Sequence, residues 1–456
     1  MAKTITFNTA RLKTQRKKRK PSVKNYRFSF ALLTSLFFMW GLITVLVDSL
    51  IPRLRDIFEL TYFQAGLVQF AFFIAYGLVS IPAGYILHRI GYKKGIILGL
   101  AIMGAGCLLF LPAASFRLFS LFLGGYFVLA AGMTILQVAA NPYVTVLGDE
   151  KGASSRLNLS QAFNSLGTTI APAIGAIFIL SDHINSSAEI TALDDAAKLS
   201  YYVAEASAVQ KPFLTLALAL LVLALIVLVA KLPKVLNTEA KTNYRSALKD
   251  KKLKLGALGI FLYVGAEVAI GSYLVNYFLD MQLAEVIRNN DLMRTVLTFF
   301  HSDVDAIDNK AIVATFLVFY WGGAMVGRFI GAYLTRVFSP SRVLSLFSVG
   351  AIFFVLVSMS THGLVSMWAI LAVGLFNSIM FPTIFSLAIE DLGELKPQGS
   401  GILCTAIAGG AFVPPLYGFF TDIIGFKIAF LVVILCYGYI FFYGSKIPKL
   451  NSVLVK

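Results

Sequence analysis

The amino-acid sequence predicts an all-α integral membrane protein, with 12 transmembrane helices in two pseudo-symmetric six-helix bundles. Three observations carry this. Of 456 residues, 58% are hydrophobic and only 14% charged, with a mean hydropathy of +0.79; a soluble domain carries roughly a quarter charged residues. Apolar runs of the length needed for a crossing, about 20 residues, recur along the whole chain. The second half of the chain then repeats marks found in the first.

In order, residues 1–28 form a basic tail. Ten Lys and Arg lie in 1–27, and the first acidic residue is Asp48. The apolar run behind the tail continues into Asp48 and Pro52 without a small-residue cleavage site, so it reads as a retained first span rather than a signal peptide. Six spans are expected near 29–52, 62–87, 95–113, 117–146, 155–180 and 212–232. A basic linker, 233–253, separates them from six more near 255–279, 310–337, 342–361, 363–389, 398–422 and 427–445. The bundles are thus 29–232 and 254–447, with a tail at 448–456.

Charge agrees with this topology. The tail and linker are basic, as cytoplasmic segments are, while 181–211 carries five acids against two bases and 279–310 six against three. The net charge of +16 therefore points to membrane sidedness and anionic lipid rather than nucleic acid. Cys107, Cys404 and Cys436 lie inside apolar runs without metal-like spacing, so no disulfide, metal or cofactor is expected. There is no phosphate-binding Gly-rich loop and no nucleophile–base set, which argues against an ATP-driven pump or an enzyme.

The halves echo one another. Gly84-x-x-x-His88-Arg89 matches Gly331-x-x-x-Thr335-Arg336, Pro172-x-x-Gly175 matches Pro415-x-x-Gly418, and Asn141-Pro142 matches Phe381-Pro382, at offsets of 240 to 247 residues. Such repeats mark transporters that rock one bundle against the other around a substrate at their interface.

The stretch 137–175 is dense in neutral polar groups between spans, including a helix-interrupting Asn141-Pro142. Polar groups in hydrocarbon need a partner or a water-filled cavity. Gln137 and Asn141 share one helix face, and Gln161, Asn164 and Thr168 share another. Their side chains donate and accept, which suits sugar hydroxyls; interhelical glue is the bland alternative. Gln69 and Asn377 join this candidate set, and Trp40 and Trp321 are candidates for stacking on a sugar ring or for plain packing. Asp48 shares a face with Trp40 and Thr44 and is either a working carboxylate or an acid at an outer helix end. Glu267 lies 13 residues into the seventh span with no basic residue within a turn, a position suited to proton exchange or to a neutral acid hydrogen-bonded to a neighbouring helix. Arg328, in Gly327-Arg328-Phe-Ile-Gly331, reads as a structural charge near the cytoplasmic side.

The segment Gly84-Tyr85-Ile86-Leu87-His88-Arg89-Ile90-Gly91-Tyr92-Lys93-Lys94 resembles the loop between helices two and three of the major facilitator superfamily, with His88 where that family has Asp. Arg336 belongs to its echo. Trp40 to Pro52, Phe63-Gln64-Ala65-Gly66, Ala139 to Gly148, Arg156 to Leu159, Phe163-Asn164-Ser165 and Pro382 to Ser386 are similar to the fucose permease and glucose/galactose permease group. The similarity covers nearly everything after residue 28. It implies the major facilitator fold in a bacterial inner membrane, both termini cytoplasmic, acting as a monomer. It also implies that Asp48 is protonated and released during transport. Gln137 stands where the fucose permease has a Glu, and a Gln carries no proton. Coupling is therefore expected on Asp48 with Glu267, and the substrate leans toward glucose or galactose. The resulting expectation is a proton-coupled hexose uptake symporter working by alternating access. The alternative is a proton-driven efflux antiporter for sugars or drugs, whose motif Gly167-x-x-x-Ala171-Pro172-x-x-Gly175 somewhat resembles.

Overall fold

The computed structural model describes residues 23–57, 62–116, 118–178, 194–236, 238, 243–301, 303–304 and 307–454. Among them all regular structure is helical. The long helices are α1 (Val23–Ile57), α2 (Tyr62–Ile90), α3 (Tyr92–Ser115), α4 (Phe119–Val146), α5 (Ala153–Phe178) and α6 (Asp195–Val229). The second half supplies α7 (Lys251–Asp280), α8 (Leu317–Val337), α9 (Pro340–Ser360), α10 (Gly363–Asn377), α11 (Met380–Ile389), α12 (Lys396–Thr405) and α13 (Gly409–Leu454).

Ten described segments are long and apolar enough to cross a membrane. Two features raise the crossings to twelve. The polar face of α5 keeps it off that list although it runs 26 residues. The segment Gly393–Ile447, 55 residues long, would reach about 80 Å as one rod at 1.5 Å per residue, against ~30 Å of hydrocarbon. It turns back at Gly425, whose φ of 79° and ψ of 162° suit only glycine. Beside that turn, Lys427 hydrogen-bonds the Thr361 carbonyl at the end of α9.

Boundaries follow local chemistry. Gly91, φ 81°, breaks α2 from α3, Pro340 opens α9 at its first turn, and Asp250 caps α7 by accepting from the Leu253 amide at 2.8 Å. Two expected connections hold helix: α6 begins at Asp195, capped by Asp194, and 279–310 contains Leu283–Arg288 and Asp291–Thr298.

Helices α1 to α6 pack chiefly among themselves, as do α7 to α13, and the two sets meet where α5 lies on α8 and α11, and α12 on α2 and α4. Close approach within each set is made by glycine. At the α1–α5 crossing a Cβ on Gly41 or Gly167 would collide with the backbone of Asn164 or Phe38. The crossing of α7 on α13 repeats this with Gly265 and Gly409.

The Asn141-Pro142 pair was expected to interrupt its helix, and it does not: α4 runs through Pro142 unbroken. Proline lacks the N–H that would bond the carbonyl four residues back. That carbonyl, on Val138, instead accepts from the Ser400 hydroxyl of α12 at 2.9 Å. The echo behaves alike. Pro382 leaves the Ser378 carbonyl unclaimed by its helix, and it accepts from Arg328 Nε at 3.1 Å. Both prolines free an acceptor that a different helix takes up.

Candidate functional site

Where the two sets face each other lies a cavity of about 240 Å³, on the order of eight water volumes at ~30 Å³ each. From the first half, α1 contributes Trp40, Gly41 and Thr44, α2 Phe72, Phe73 and Tyr76, α4 Met133 and Gln137, and α5 Gln161, Asn164 and Thr168. Across from them stand Tyr263, Val264 and Glu267 of α7, Arg328 of α8, Phe381 and Pro382 of α11, and Ile407.

The amides are aimed by local bonds. Asn164 Nδ2 donates to the Phe37 carbonyl at 2.9 Å, which turns its Oδ1 away from α1. Gln137 Nε2 donates to the Tyr76 hydroxyl at 2.7 Å, while its Oε1 has no partner among the described residues. Trp40, 8% exposed, tilts against Phe37 with ring centroids 5.6 Å apart. The wall therefore alternates aromatic faces with neutral donors and acceptors.

Glu267 and Arg328 are the charged pair of the cavity, 4.0 Å apart with side chains each 15% exposed. Arg328 also donates to the Ser165 hydroxyl of α5. It thus touches both halves of the molecule at once. Tyr263, Tyr320 and Tyr437 lie around Glu267.

The structure brings together Trp40, Gln137, Gln161, Asn164 and Glu267. Asn377 sits behind the wall, its Nδ2 bonded to the Tyr320 hydroxyl at 2.7 Å. Asn141 is fully buried below the cavity rather than lining it. Trp321 is not among the residues that line the cavity: 46% exposed, it lies edge-on to Tyr320 and against Gly271, on the same face of α8 as Arg328 about two turns away. The side chains of Asp48 and Gln69 lie outside the described residues.

Sequence reasoning misplaced Arg328, which is a cavity residue and not a peripheral structural charge. It also left Glu267 without a cation, because the partner comes from another helix. An ionisable residue nine positions from the end of its span is a functional candidate by its depth alone. Tyr76 was missed too, though Gln69, Phe73 and Tyr76 repeat at i, i+4 and i+7.

Below the cavity, at the end of the molecule where α5 begins and α4 ends, the two halves close on each other. Ser154 and Ser386 hydroxyls meet at 2.6 Å, Ser155 donates to the Ala332 carbonyl at 2.6 Å, and Asn158 Nδ2 to Thr383 Oγ1 at 3.1 Å. The Ser400–Val138 bond completes the seal. The loop motif lies at this end. Gly84 lets α2 pass close to the Pro397 carbonyl, where a Cβ would come within 2.6 Å. His88 is buried, Arg89 stacks over Tyr85 at 4.4 Å, and Arg336 borders a pocket with Glu150 and Glu390.

Residues 28–413, which carry this cavity and its closed end, match the model of the Major Facilitator Superfamily. The chain belongs to that superfamily. It is 49% identical over 426 residues to a glucose/galactose transporter of Brucella abortus, covering 93% of this chain and 95% of the relative. It is 43% identical to a putative glucose/galactose transporter of Helicobacter pylori, covering 91% and 95%. To the L-fucose-proton symporter of Escherichia coli K12 it is 36% identical, covering 92% and 93%. The crystal structure of the superfamily transporter FucP in the outward conformation superimposes with a TM-score of 0.83 at 33% identity, covering 93% of this chain and 99% of that one. The superfamily assignment makes the chain a membrane-spanning secondary transporter, and the relatives are transporters, not enzymes.

Proposed function

We propose that this protein is a proton-coupled hexose symporter that carries glucose or galactose inward by alternating access. The observation that carries the reading is the cavity itself. Aromatic faces and the neutral amides of Gln137, Gln161 and Asn164 offer a sugar stacking and hydrogen bonds in any orientation. The activities of the relatives, glucose/galactose transport and fucose–proton symport, support the same substrate class and the same driving ion.

In this reading the bundles 29–232 and 254–447 are the rocking units, joined by the cytoplasmic linker 233–253. Both termini are cytoplasmic, a monomer holds one complete cavity, and the membrane is the bacterial inner membrane. The closed end is then the cytoplasmic end, so the conformation faces outward. Asp48 takes the proton, with Glu267 held near Arg328 as the second ionisable group on the path. Gln137 hydrogen-bonds the sugar and does not titrate. Protonation removes a charge, and the loaded carrier reorients more readily than the charged one.

Uptake of labelled hexoses into proteoliposomes under an inward-acid gradient tests this. The wild type concentrates glucose or galactose and loses the accumulation when the gradient is collapsed. Asp48→Asn still exchanges sugar but no longer concentrates it. Gradient-insensitive uptake removes proton coupling; outward transport under the same gradient favours an antiporter.

A further inference from the structure

Three buried amides run from the cavity floor toward the closed end, and four of their polar atoms have no protein partner among the described residues. They are Gln137 Oε1, both amide atoms of Asn141, and Asn158 Oδ1. The side chains are 7%, 0% and 0% exposed. A buried amide without a partner is costly, and native chains rarely keep several in a row without a use for them.

Their order is informative. α4 descends toward the closed end, so Asn141 lies one turn, about 6 Å, below Gln137 on the same face. α5 rises from the closed end, so Asn158 lies about 4.5 Å below Gln161. Both steps lead the same way, from the cavity to the seal. The covering groups belong to the opposite bundle: Ser400 on the Val138 carbonyl and Thr383 on Asn158. These are neutral hydrogen bonds, which part without leaving a charge in hydrocarbon. The charged pair Glu267–Arg328 stays above, in the cavity.

We propose that Gln137, Asn141 and Asn158 form a second hexose subsite, used on the inward side once the seal opens. Resting on the transport reading above, it gives the orphaned amides a function: sugar hydroxyls satisfy in the inward-facing state what the outward-facing state leaves unpaired. Gln137 serves both positions, so the sugar passes from one set of amides to the next with a shared contact.

The test measures galactose half-saturation separately from each face, in vesicles of known orientation without a pH gradient. Asn141→Leu is expected to raise half-saturation at the closed-end face about tenfold, equivalent to about 1.4 kcal/mol, and to change the opposite face less than about twofold. Its melting temperature in detergent does not fall, because the orphaned atoms leave with the amide. A rise equal at both faces, or none at either, overturns the subsite. Should the leucine variant fail to fold, Asn141→Cys, in a background lacking the three native cysteines, is alkylated from the closed-end face. Galactose slows that reaction if the subsite exists. Alkylation without sugar protection, or no alkylation in any state, overturns it. Failure of wild-type protein to move any hexose strikes the transport reading instead, and the two failures are thereby distinguished.

Discussion

At the scale of single residues, the decisive pair is Glu267 and Arg328. Each is a charge inside a span, tolerated because the other lies 4.0 Å away and because a polar cavity borders both. Removing one member leaves the other uncompensated, which for a buried pair costs about 3–5 kcal/mol; the cavity exposure here places the expectation near the lower bound. Arg328→Ala should therefore lower the melting temperature and abolish concentrative uptake. The double variant Arg328→Leu/Glu267→Gln should recover most of the stability, since no charge is stranded, yet not the uptake. Differential scanning in detergent and flux in proteoliposomes read the two effects apart. Recovery of both would reduce the pair to packing.

At the scale of elements, proline decides how helices from different bundles meet. A proline in a soluble helix breaks it at a cost of ~3 kcal/mol. In α4 the helix continues through Pro142, and the carbonyl freed at Val138 becomes the acceptor for Ser400. A neutral hydrogen bond of this kind contributes about 0.5–1.5 kcal/mol. Ser400→Ala should accordingly shift the carrier toward its inward-facing form, severalfold in population, by leaving Val138 unpaired. Adding Pro142→Ala restores an N–H that can bond Val138 within α4, so the two substitutions should be non-additive. Cysteine accessibility at the seal measures the population in each variant, and strict additivity would mean the two positions are not linked.

The elements themselves were largely legible. Length and hydropathy placed the spans, and glycine and proline marked most ends. What was not legible was α4 passing through Asn141-Pro142, because the group that satisfies the freed carbonyl lies 262 residues away in sequence. Arg328 was hidden for the same reason, its partners Glu267, Ser165 and Ser378 each being on a different segment. Gln161 and Asn164 were legible because helical spacing alone puts them on one face of α5.

At the scale of the whole molecule, closure at one end rests on contacts between hydroxyls, amides and backbone carbonyls. Ser154 and Ser386, with oxygens 2.6 Å apart across the bundles, are near enough for a disulfide with modest side-chain adjustment. Oxidised Ser154→Cys/Ser386→Cys protein should therefore stop transport while still binding sugar from the open face, and reduction should restore flux. Transport that survives full cross-linking would show that the two bundles need not part at this point.

The sequence by itself determined that the chain spans a membrane, where its crossings fall, and that it is built of two related halves. These follow from composition, periodicity and charge, which act locally and are read without knowing any contact. The tertiary structure alone decided which polar residues converge. It joined Glu267 to Arg328, left Trp321 outside the cavity lining, and placed Asn141 beneath the cavity rather than in it. Helical periodicity fixes which residues share a face of one helix. It does not fix which face of which other helix lies opposite, and a binding site between two bundles is made only when they pack.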